Sequence, residues 1–127
     1  MPNYSILPAI KEYNPDDDTD LSSGVAAWTI SVEDPESTKL GHPKLRRFSF
    51  QPIFANYTSV TVKAQGTLDG TTWADIASAT TSTSGDIVDV DCSETQGPFS
   101  QVRVLVTGTL SAGTDTFDLW VMKQYTD

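Results

Sequence analysis

The sequence has little of what most catalytic, metal-binding or cross-linked proteins need. Its 127 residues contain one cysteine and one histidine, so Cys92 has no intramolecular disulfide partner and a four-ligand zinc site cannot be filled. Nucleophilic hydrolysis needs a serine or cysteine beside a histidine that a carboxylate orients, and no Gly-x-Ser-x-Gly motif is present. We expect His42 on a surface loop and an unreactive Cys92 at a strand end, half-buried beside Asp91 and Glu94. The sequence therefore predicts no catalytic residue, no metal site and no cofactor.

Positive charge and long apolar runs are also scarce. The chain has 8 Lys+Arg against 17 Asp+Glu, which gives a formal net charge of −9 and a pI of about 4.3. A surface of this charge repels the phosphates of a nucleic acid. No stretch approaches the ~18 apolar residues of a membrane-spanning helix, and residues 1–24 carry an acidic run instead of the apolar segment of a signal peptide. We expect one acidic domain that binds neither nucleic acid nor membrane.

Helical periodicity is nearly absent, whereas apolar residues recur at every second position. This alternation occurs in Val60–Ala64, Val102–Val106 and Phe117–Val121. It predicts strands with one face in a core and the other face towards solvent. Several such short strands separated by turns indicate an all-β protein, an antiparallel β-sandwich of seven or eight strands.

Turn residues separate these strands. Asp69-Gly70 predicts a two-residue hairpin, because glycine adopts a positive φ without steric cost. Ser111-Ala112-Gly113 predicts a similar hairpin between the last two strands. The polar segment from Ser78 to Ser84 predicts an edge strand followed by a turn, since threonine is a good strand residue.

Residues 1–24 differ in composition from residues 25–127, which form the predicted sandwich. Three prolines and the acidic run predict an extended N-terminal arm rather than core. The arm nevertheless carries more apolar side chains than a solvated tail requires: Tyr4, Ile6, Leu7, Ile10 and Tyr13. An extended segment gains most by placing such side chains on another surface, so these are candidate partner-binding residues.

The acidic run itself resembles the opening of a calcium loop. Asp16, Asp18 and Asp20 stand at alternate positions, but Leu21 and Ala27 replace the glycine and the bidentate glutamate that such a loop requires. The spacing therefore favours a solvated acidic segment without bound metal.

Two other groups are candidates for contact with a partner. Trp120 and Met122 lie opposite the core residues of the last strand, so a second apolar row must be covered by something other than the main core. Arg46 and Arg47 belong to the one basic cluster, Lys44-Leu45-Arg46-Arg47. This cluster fits either a solvated strand start or an ion-pairing contact with an acidic partner.

Two longer motifs carry a family resemblance. They are Gly66-Thr-Leu-Asp69-Gly70-Thr-Thr-Trp73 and the later Phe99-Ser-Gln-Val-Arg103-Val, followed by the final strand. With the strand that begins at Ser59, this half of the chain resembles the small jelly-roll β-sandwich of tailed-bacteriophage virion proteins. The resemblance implies a jelly-roll-like fold, structural turn roles for Gly66, Asp69, Gly70 and Trp73, an outward position for Arg103, and no catalytic residue.

The same resemblance implies a role. Such proteins are non-enzymatic components of the virion, made in the host cytoplasm. The best match is a capsid-decorating (cement) or head-surface protein that binds the major capsid protein, or another virion protein, and its own copies in a homo-oligomer such as a trimer. The alternative is a carbohydrate-binding module, with Trp28, Trp73 or Trp120 stacked on a sugar ring, or a β-sandwich that contacts a receptor from the tail. A weak glycan contact is compatible with the first role as well.

Overall fold

The computed structural model describes residues 4–32, 44–92 and 99–126, whose regular structure is all β. In chain order the strands are β1 (Tyr4–Ile6), β2 (Ile10–Tyr13), β3 (Val25–Ser31), β4 (Lys44–Ala55), β5 (Ser59–Thr67), β6 (Ala74–Thr81), β7 (Val88–Asp91), β8 (Gln101–Thr109) and β9 (Thr116–Thr126). These described ranges include no helix that is long and apolar enough to cross a membrane.

The strands form two antiparallel sheets. Sheet A contains β1, β9, β4 and β7 in that order, with β2 also paired to β9, and sheet B contains β3, β8, β5 and β6. β4 pairs along one edge of β9, so β1 and β2 follow each other along the other edge. Each sheet thus has four strand positions. This eight-position, two-sheet arrangement confirms the predicted jelly-roll-like sandwich.

The core lies between the two sheets, where the predicted alternation places apolar side chains. Each residue that the pattern assigned to the inner faces is buried: Val60, Val62, Ala64, Val102, Val104, Val106, Phe117, Leu119 and Val121. Trp28 of β3 is buried in the same core, and its ring centroid lies 4.9 Å from that of Phe48 on β4. The edge-strand prediction for the Ser/Thr segment also agrees with the structure, since β6 lies at the edge of sheet B.

The two-residue hairpin predicted at Asp69-Gly70 is wrong. β5 ends at Thr67 and β6 begins at Ala74, so the loop comprises residues 68–73. Trp73 therefore precedes the returning strand instead of starting it. Asp69 and Gly70 do form part of a turn, as expected, but they stabilise a loop of six residues instead of two.

Side-chain hydrogen bonds to the backbone hold this wider loop. Asp69 Oδ1 accepts the N–H groups of Thr71 at 2.8 Å and Thr72 at 2.7 Å, and the Thr67 hydroxyl accepts the N–H of Gly70 at 3.1 Å. Gly70 has a φ of 83°, in the left-handed region that favours glycine. Because the Asp69 carboxylate binds N–H groups two and three residues further along the chain, the loop extends at least to Thr72 and is longer than a two-residue hairpin.

The hairpin predicted at Ser111-Ala112-Gly113 is also wrong. β8 belongs to sheet B and β9 to sheet A, so residues 110–115 cross from one sheet to the other. Buried Asp115 fixes this crossing, because its carboxylate accepts the Ser111 hydroxyl at 2.5 Å and the Ser111 N–H at 3.1 Å. Alternation shows which side chains face inward, but it does not show which strands pair.

In the N-terminal segment the structure describes residues 4–24, of which 4–6 and 10–13 form strands that are hydrogen-bonded to the sandwich. β1 and β2 pair with β9, and the acidic run is tied to the β8–β9 crossing. Asp18 and Asp115 exchange two hydrogen bonds, one of 2.8 Å from the Asp18 N–H and one of 2.7 Å to the Asp18 carboxylate. Leu21 is fully buried in the core. The segment is therefore an edge of sheet A joined to a core residue.

We predict that two glycines of the β5–β6 region matter for different reasons. A methyl group on Gly66 would overlap the Phe99 ring, whereas Gly70 has open space but a positive φ. Gly66→Ala should therefore lower stability by displacing Phe99, and Gly70→Val should lower it by about 1–3 kcal/mol through backbone strain. Chemical denaturation measures both. Gly113→Ala is the control, since its new methyl group would meet only ordinary contacts; equal stability of all three variants would contradict this interpretation.

We also predict a pH dependence for the same loop. Hydrogen bonds from the backbone of Thr72 and Thr71, and then from the Thr67 hydroxyl, hold the pKa of Asp69 well below its usual range. The ionised carboxylate therefore stabilises the fold above the unfolded pKa of about 4, and this contribution is lost as the pH falls towards the lower folded value. The stability difference between the wild type and Asp69→Ala should thus be largest near pH 7 and should shrink below pH 4. A difference that stays constant from pH 7 to pH 2 would show that the charge is not involved.

Candidate interaction surface

The outer face of sheet A carries apolar side chains that the core does not use. On β9, Trp120 is partly buried and Met122 is 42% exposed, on the side opposite Leu119 and Val121. This position agrees with the strand parity deduced from the sequence. Ile53 of β4, which is 43% exposed, extends the same face.

A shallow groove of about 210 Å³ runs across this face, and we call it the outer groove. Its floor consists of paired residues of β9 and β4, with Trp120 opposite Gln51 and Met122 opposite Ser49. Ala9 lines it from the arm side, and Ile87, which is 70% exposed, lines it next to β7. The groove is therefore mainly apolar and is built on strands instead of on loops.

Charged side chains flank the outer groove on both sides. On the arm side, Lys11 Nζ lies 5.4 Å from the Trp120 ring centroid and 3.8 Å from the Asp118 carboxylate. On the β7 side, Arg47 forms an ion pair with Asp89, which also accepts a 3.1 Å hydrogen bond from Ser49. An apolar centre with a polar rim is typical of protein–protein contact surfaces.

The structure separates the two arginines of the basic cluster. Arg47 is exposed and paired with Asp89 of the same chain, whereas Arg46 is half-buried and its carbonyl accepts the N–H of Cys92 at 2.7 Å. Arg47 thus lies beside the outer groove together with Met122. The sequence prediction that this cluster contacts an acidic partner stays a prediction.

The candidate residues of the arm lie along the edge of sheet A. Leu7 and Ile10 are 39% and 46% exposed, and Tyr13 packs against Phe117 with ring centroids 6.1 Å apart. Tyr4 and Ile6 belong to β1, opposite Thr126 and Gln124 of β9. The arm and the outer groove are neighbours, because Ala9 lines the groove and Lys11 lies over the ring of Trp120.

The outer face of sheet B carries a network of polar side chains around Trp73. Arg103 points outward, with its guanidinium carbon 4.4 Å from the Trp73 ring centroid and its Nε donating to Gln65 Oε1 at 2.8 Å. Gln65 in turn donates to Asp75 at 2.8 Å, and Lys63 lies 3.2 Å from the same carboxylate. The hydrogen bond from Gln65, followed by that from Lys63, lowers the pKa of Asp75. The network fixes Arg103 over one side of the tryptophan.

The three tryptophans lie in three different places. Trp28 is buried in the core, Trp73 lies beneath Arg103 on sheet B, and Trp120 lies in the outer groove of sheet A. They therefore do not form one aromatic platform. Of the three candidates for stacking on a sugar, Trp28 is excluded by its burial, whereas Trp73 and Trp120 are both partly exposed and each has a cation over its ring.

Reactive groups are few in the part of the chain that the structure describes. Cys92 is fully buried instead of half-buried as predicted, and burial, with a smaller effect of Asp91, raises the pKa of its thiol to about 12. Among residues 4–32, 44–92 and 99–126, no three His, Cys, Asp or Glu side chains are grouped so that they could hold a metal ion. His42 and Glu94 lie outside the described residues.

Sequence reasoning did not identify two residues of the outer groove, Ile87 and Gln51, nor Lys11 beside it. Ile87 stands in a loop before a short strand, and Gln51 is a polar residue in the middle of an apolar segment. The pairing of β9 with β2 and β4, and of β4 with β7, brings them beside Trp120. No local pattern carried that information.

Comparison with known proteins places the fold in a class but not in a family. No family model and no curated protein matches the chain. Among solved structures, the SPBc2 prophage-derived protein YomS has a TM-score of 0.56 and 13% identity, and the match covers 96% of this chain and 95% of that one. This likeness shows a shared β-sandwich over the full length of both chains.

Two more distant solved structures also align. PirA has a TM-score of 0.40 and 12% identity over 90% of this chain and 95% of that one. A chain of the T13 particle of IBDV has a TM-score of 0.42 and 9% identity, with 97% of this chain matched to 34% of that chain.

We predict that the Cys92 thiol does not react in the folded protein. A thiol with a pKa near 12 holds a negligible thiolate fraction at pH 8, and the buried sulfur is also inaccessible to reagents. Titration with a chromogenic disulfide reagent should give no fast reaction in buffer and one thiol per chain in denaturant. Fast labelling of the native protein would contradict the burial of this residue.

Proposed function

We propose that this chain is a non-enzymatic virion structural protein of a tailed bacteriophage, which decorates the capsid or head surface and binds the major capsid protein and its own copies. The observation that carries the proposal most is the full-length correspondence of the fold to the prophage-derived protein YomS. The jelly-roll-like motifs of the sequence point in the same direction. Because one fold hosts many functions, the role must also fit the surface of this chain.

The outer groove supports an interaction role. Trp120, Met122 and Ile87 keep apolar surface open to solvent, although the core of the same sheet is fully packed. Tryptophan and methionine are enriched in the centres of protein interfaces. A sheet also holds them rigidly, so little conformational entropy is lost when a partner covers them.

The charge distribution fits a protein partner better than a nucleic acid. The net charge of −9 opposes phosphate binding, and two basic side chains at the outer groove, Lys11 and Arg47, are paired with Asp118 and Asp89. Mixed charges at the rim set specificity and orientation in a protein contact.

A second candidate function is carbohydrate binding at the outer groove. The partly exposed ring of Trp120 lies beside the Gln51 side chain, so a sugar could stack on the ring and bond to the amide. The Gln51 Nε2 already donates to the Gly85 carbonyl at 2.8 Å, which leaves part of the amide for a ligand. The Lys11 ammonium group disfavours this function, because it lies over the ring on which a sugar would stack. A receptor contact from the tail would use the same surface.

We predict that substitutions in the outer groove weaken assembly without unfolding the protein. Trp120→Ser and Met122→Ser should each shift the homo-oligomer towards monomer in light scattering and reduce co-sedimentation with capsids by roughly tenfold or more, the loss that ~1.4 kcal/mol of contact free energy causes. Circular dichroism should keep the strand signal, since both side chains face away from the core.

Leu68→Ser is the matched control. Leu68 is 77% exposed on the β5–β6 loop of sheet B, whereas the outer groove lies on sheet A. Leu68→Ser should therefore change neither the oligomer mass in light scattering nor the co-sedimentation with capsids. Undiminished binding by both groove variants would place the contact elsewhere. Binding of the monomer to a glycan array, lost in Trp120→Ser, together with no binding to capsids, would favour the carbohydrate function instead.

A further inference from the structure

The N-terminal strands are attached to the sandwich along one edge only. β1 and β2 contain three and four residues, and both pair with β9. Between them the Leu7 N–H donates to the Lys123 carbonyl at 3.0 Å, and Pro8 follows without an N–H to donate. The register also shifts between Lys11 and Tyr13. The pairing of this segment is thus short and interrupted.

The described side chains of residues 7–13 add few contacts to this attachment. The 3.8 Å ion pair between Lys11 and Asp118 is partly exposed and stabilises weakly, whereas the 3.8 Å pair between Glu12 and Lys123 is largely buried. Leu7 and Ile10 stay largely exposed in the single chain. Among residues 7–13, Tyr13 contributes a ring to the core region, beside Phe117.

The following segment is attached much more firmly. Asp18 exchanges hydrogen bonds with Asp115, the Tyr57 hydroxyl donates to the Thr19 carbonyl at 2.7 Å, and Leu21 is fully buried. The link between the two parts is residues 14–17, which contains Pro15 and exposes Asn14, Asp16 and Asp17. A short, exposed, proline-containing link between a weakly held and a firmly held segment is a suitable hinge for exchange between copies.

We infer that, in the homo-oligomer, residues 4–13 of one copy pair with β9 of a neighbouring copy. The exchanged segment would make the same backbone hydrogen bonds on the neighbour as on its own chain, so the change costs few contacts. It would also bring the bodies of two copies together, where the exposed Leu7 and Ile10 side chains gain a surface to cover them.

This inference rests on the homo-oligomer of the proposed function and names a second contact between its copies, in addition to the outer groove. The extended link of residues 14–17 spans roughly 14 Å, at about 3.3–3.6 Å per residue. The β9 edge of the neighbour must therefore lie close to the Asp18 anchor.

Two variants of the full chain, each with one added cysteine, test the exchange, since the native Cys92 is fully buried in the folded protein. Ile6 and Gln124 are register partners in the β1–β9 pair, and facing residues in antiparallel strands lie within disulfide distance. Ile6→Cys and Gln124→Cys chains are mixed, denatured and refolded together, then oxidised. If arms exchange, mass spectrometry should find a disulfide that joins position 6 of one chain to position 124 of another. Tyr4→Cys with Thr126→Cys is a second pair of register partners, should the first one fold poorly.

Two controls make the result decisive. Leu110→Cys replaces Gln124→Cys in a parallel mixture and should give no cross-link to position 6, because Leu110 lies outside the strands that the arm touches. The double variant Ile6→Cys/Gln124→Cys should oxidise to covalently linked oligomers if arms exchange. Complete oxidation to a monomer, with no 6–124 link in the mixture, would overturn the exchange.

Failure of the exchange is distinguishable from failure of the proposed function. If the wild type is oligomeric and sediments with capsids while no 6–124 link forms between chains, the exchange is wrong and the virion role stands. If the link forms but the protein does not sediment with capsids, the exchange is supported and the decorating role fails.

Discussion

The alternation of β9 is the constraint on which the structure depends most. This strand pairs with β4 along one edge and with β1 and β2 along the other. Its inner row of Phe117, Leu119 and Val121 is buried in the core, so its outer row is fixed in place by the same backbone. A slip of one residue would put the whole inner row into solvent. The position of Trp120 and Met122 is thus a consequence of core packing.

Hydrogen bonds to carboxylates fix the loops that connect the packed strands. The Asp69 carboxylate organises the β5–β6 loop, and Asp115 organises the crossing between the sheets while holding Asp18. These carboxylates bind backbone N–H groups of the same chain. Much of the acidic character near the sandwich ends therefore has a structural role, whereas the paired charges around the outer groove, such as Lys11 with Asp118, remain at the surface.

Local patterns in the sequence predicted the strand faces well and the strand partners badly. Val62, Val104 and Leu119 were assigned to the core because a period of two is a local property, visible in five residues. The six-residue β5–β6 loop was missed because the hydrogen bonds of Asp69 to Thr71 and Thr72 are specific to that loop. The β8–β9 crossing was missed because sheet membership depends on residues far apart in the chain.

The candidate surface was predictable in the same partial way. Trp120 and Met122 follow from parity alone, and an apolar arm follows from its composition. Tertiary contacts determine that this arm pairs with β9 and that Ile87 lies beside Trp120, so neither could be predicted. Trp28 shows the opposite error, since a tryptophan considered for sugar stacking is a core residue packed on Phe48.

The central claim, that a protein partner covers the outer face of sheet A, is tested most directly by hydroxyl-radical footprinting. Mass spectrometry would compare oxidation of Met122 and Trp120 in the dilute monomer and in the capsid-bound protein, with Leu68 as the internal reference, because it is exposed on the β5–β6 loop. We predict that oxidation of Met122 and Trp120 falls severalfold on binding, while oxidation of Leu68 does not change. Equal oxidation of Met122 and Trp120 in the two states would contradict the claim.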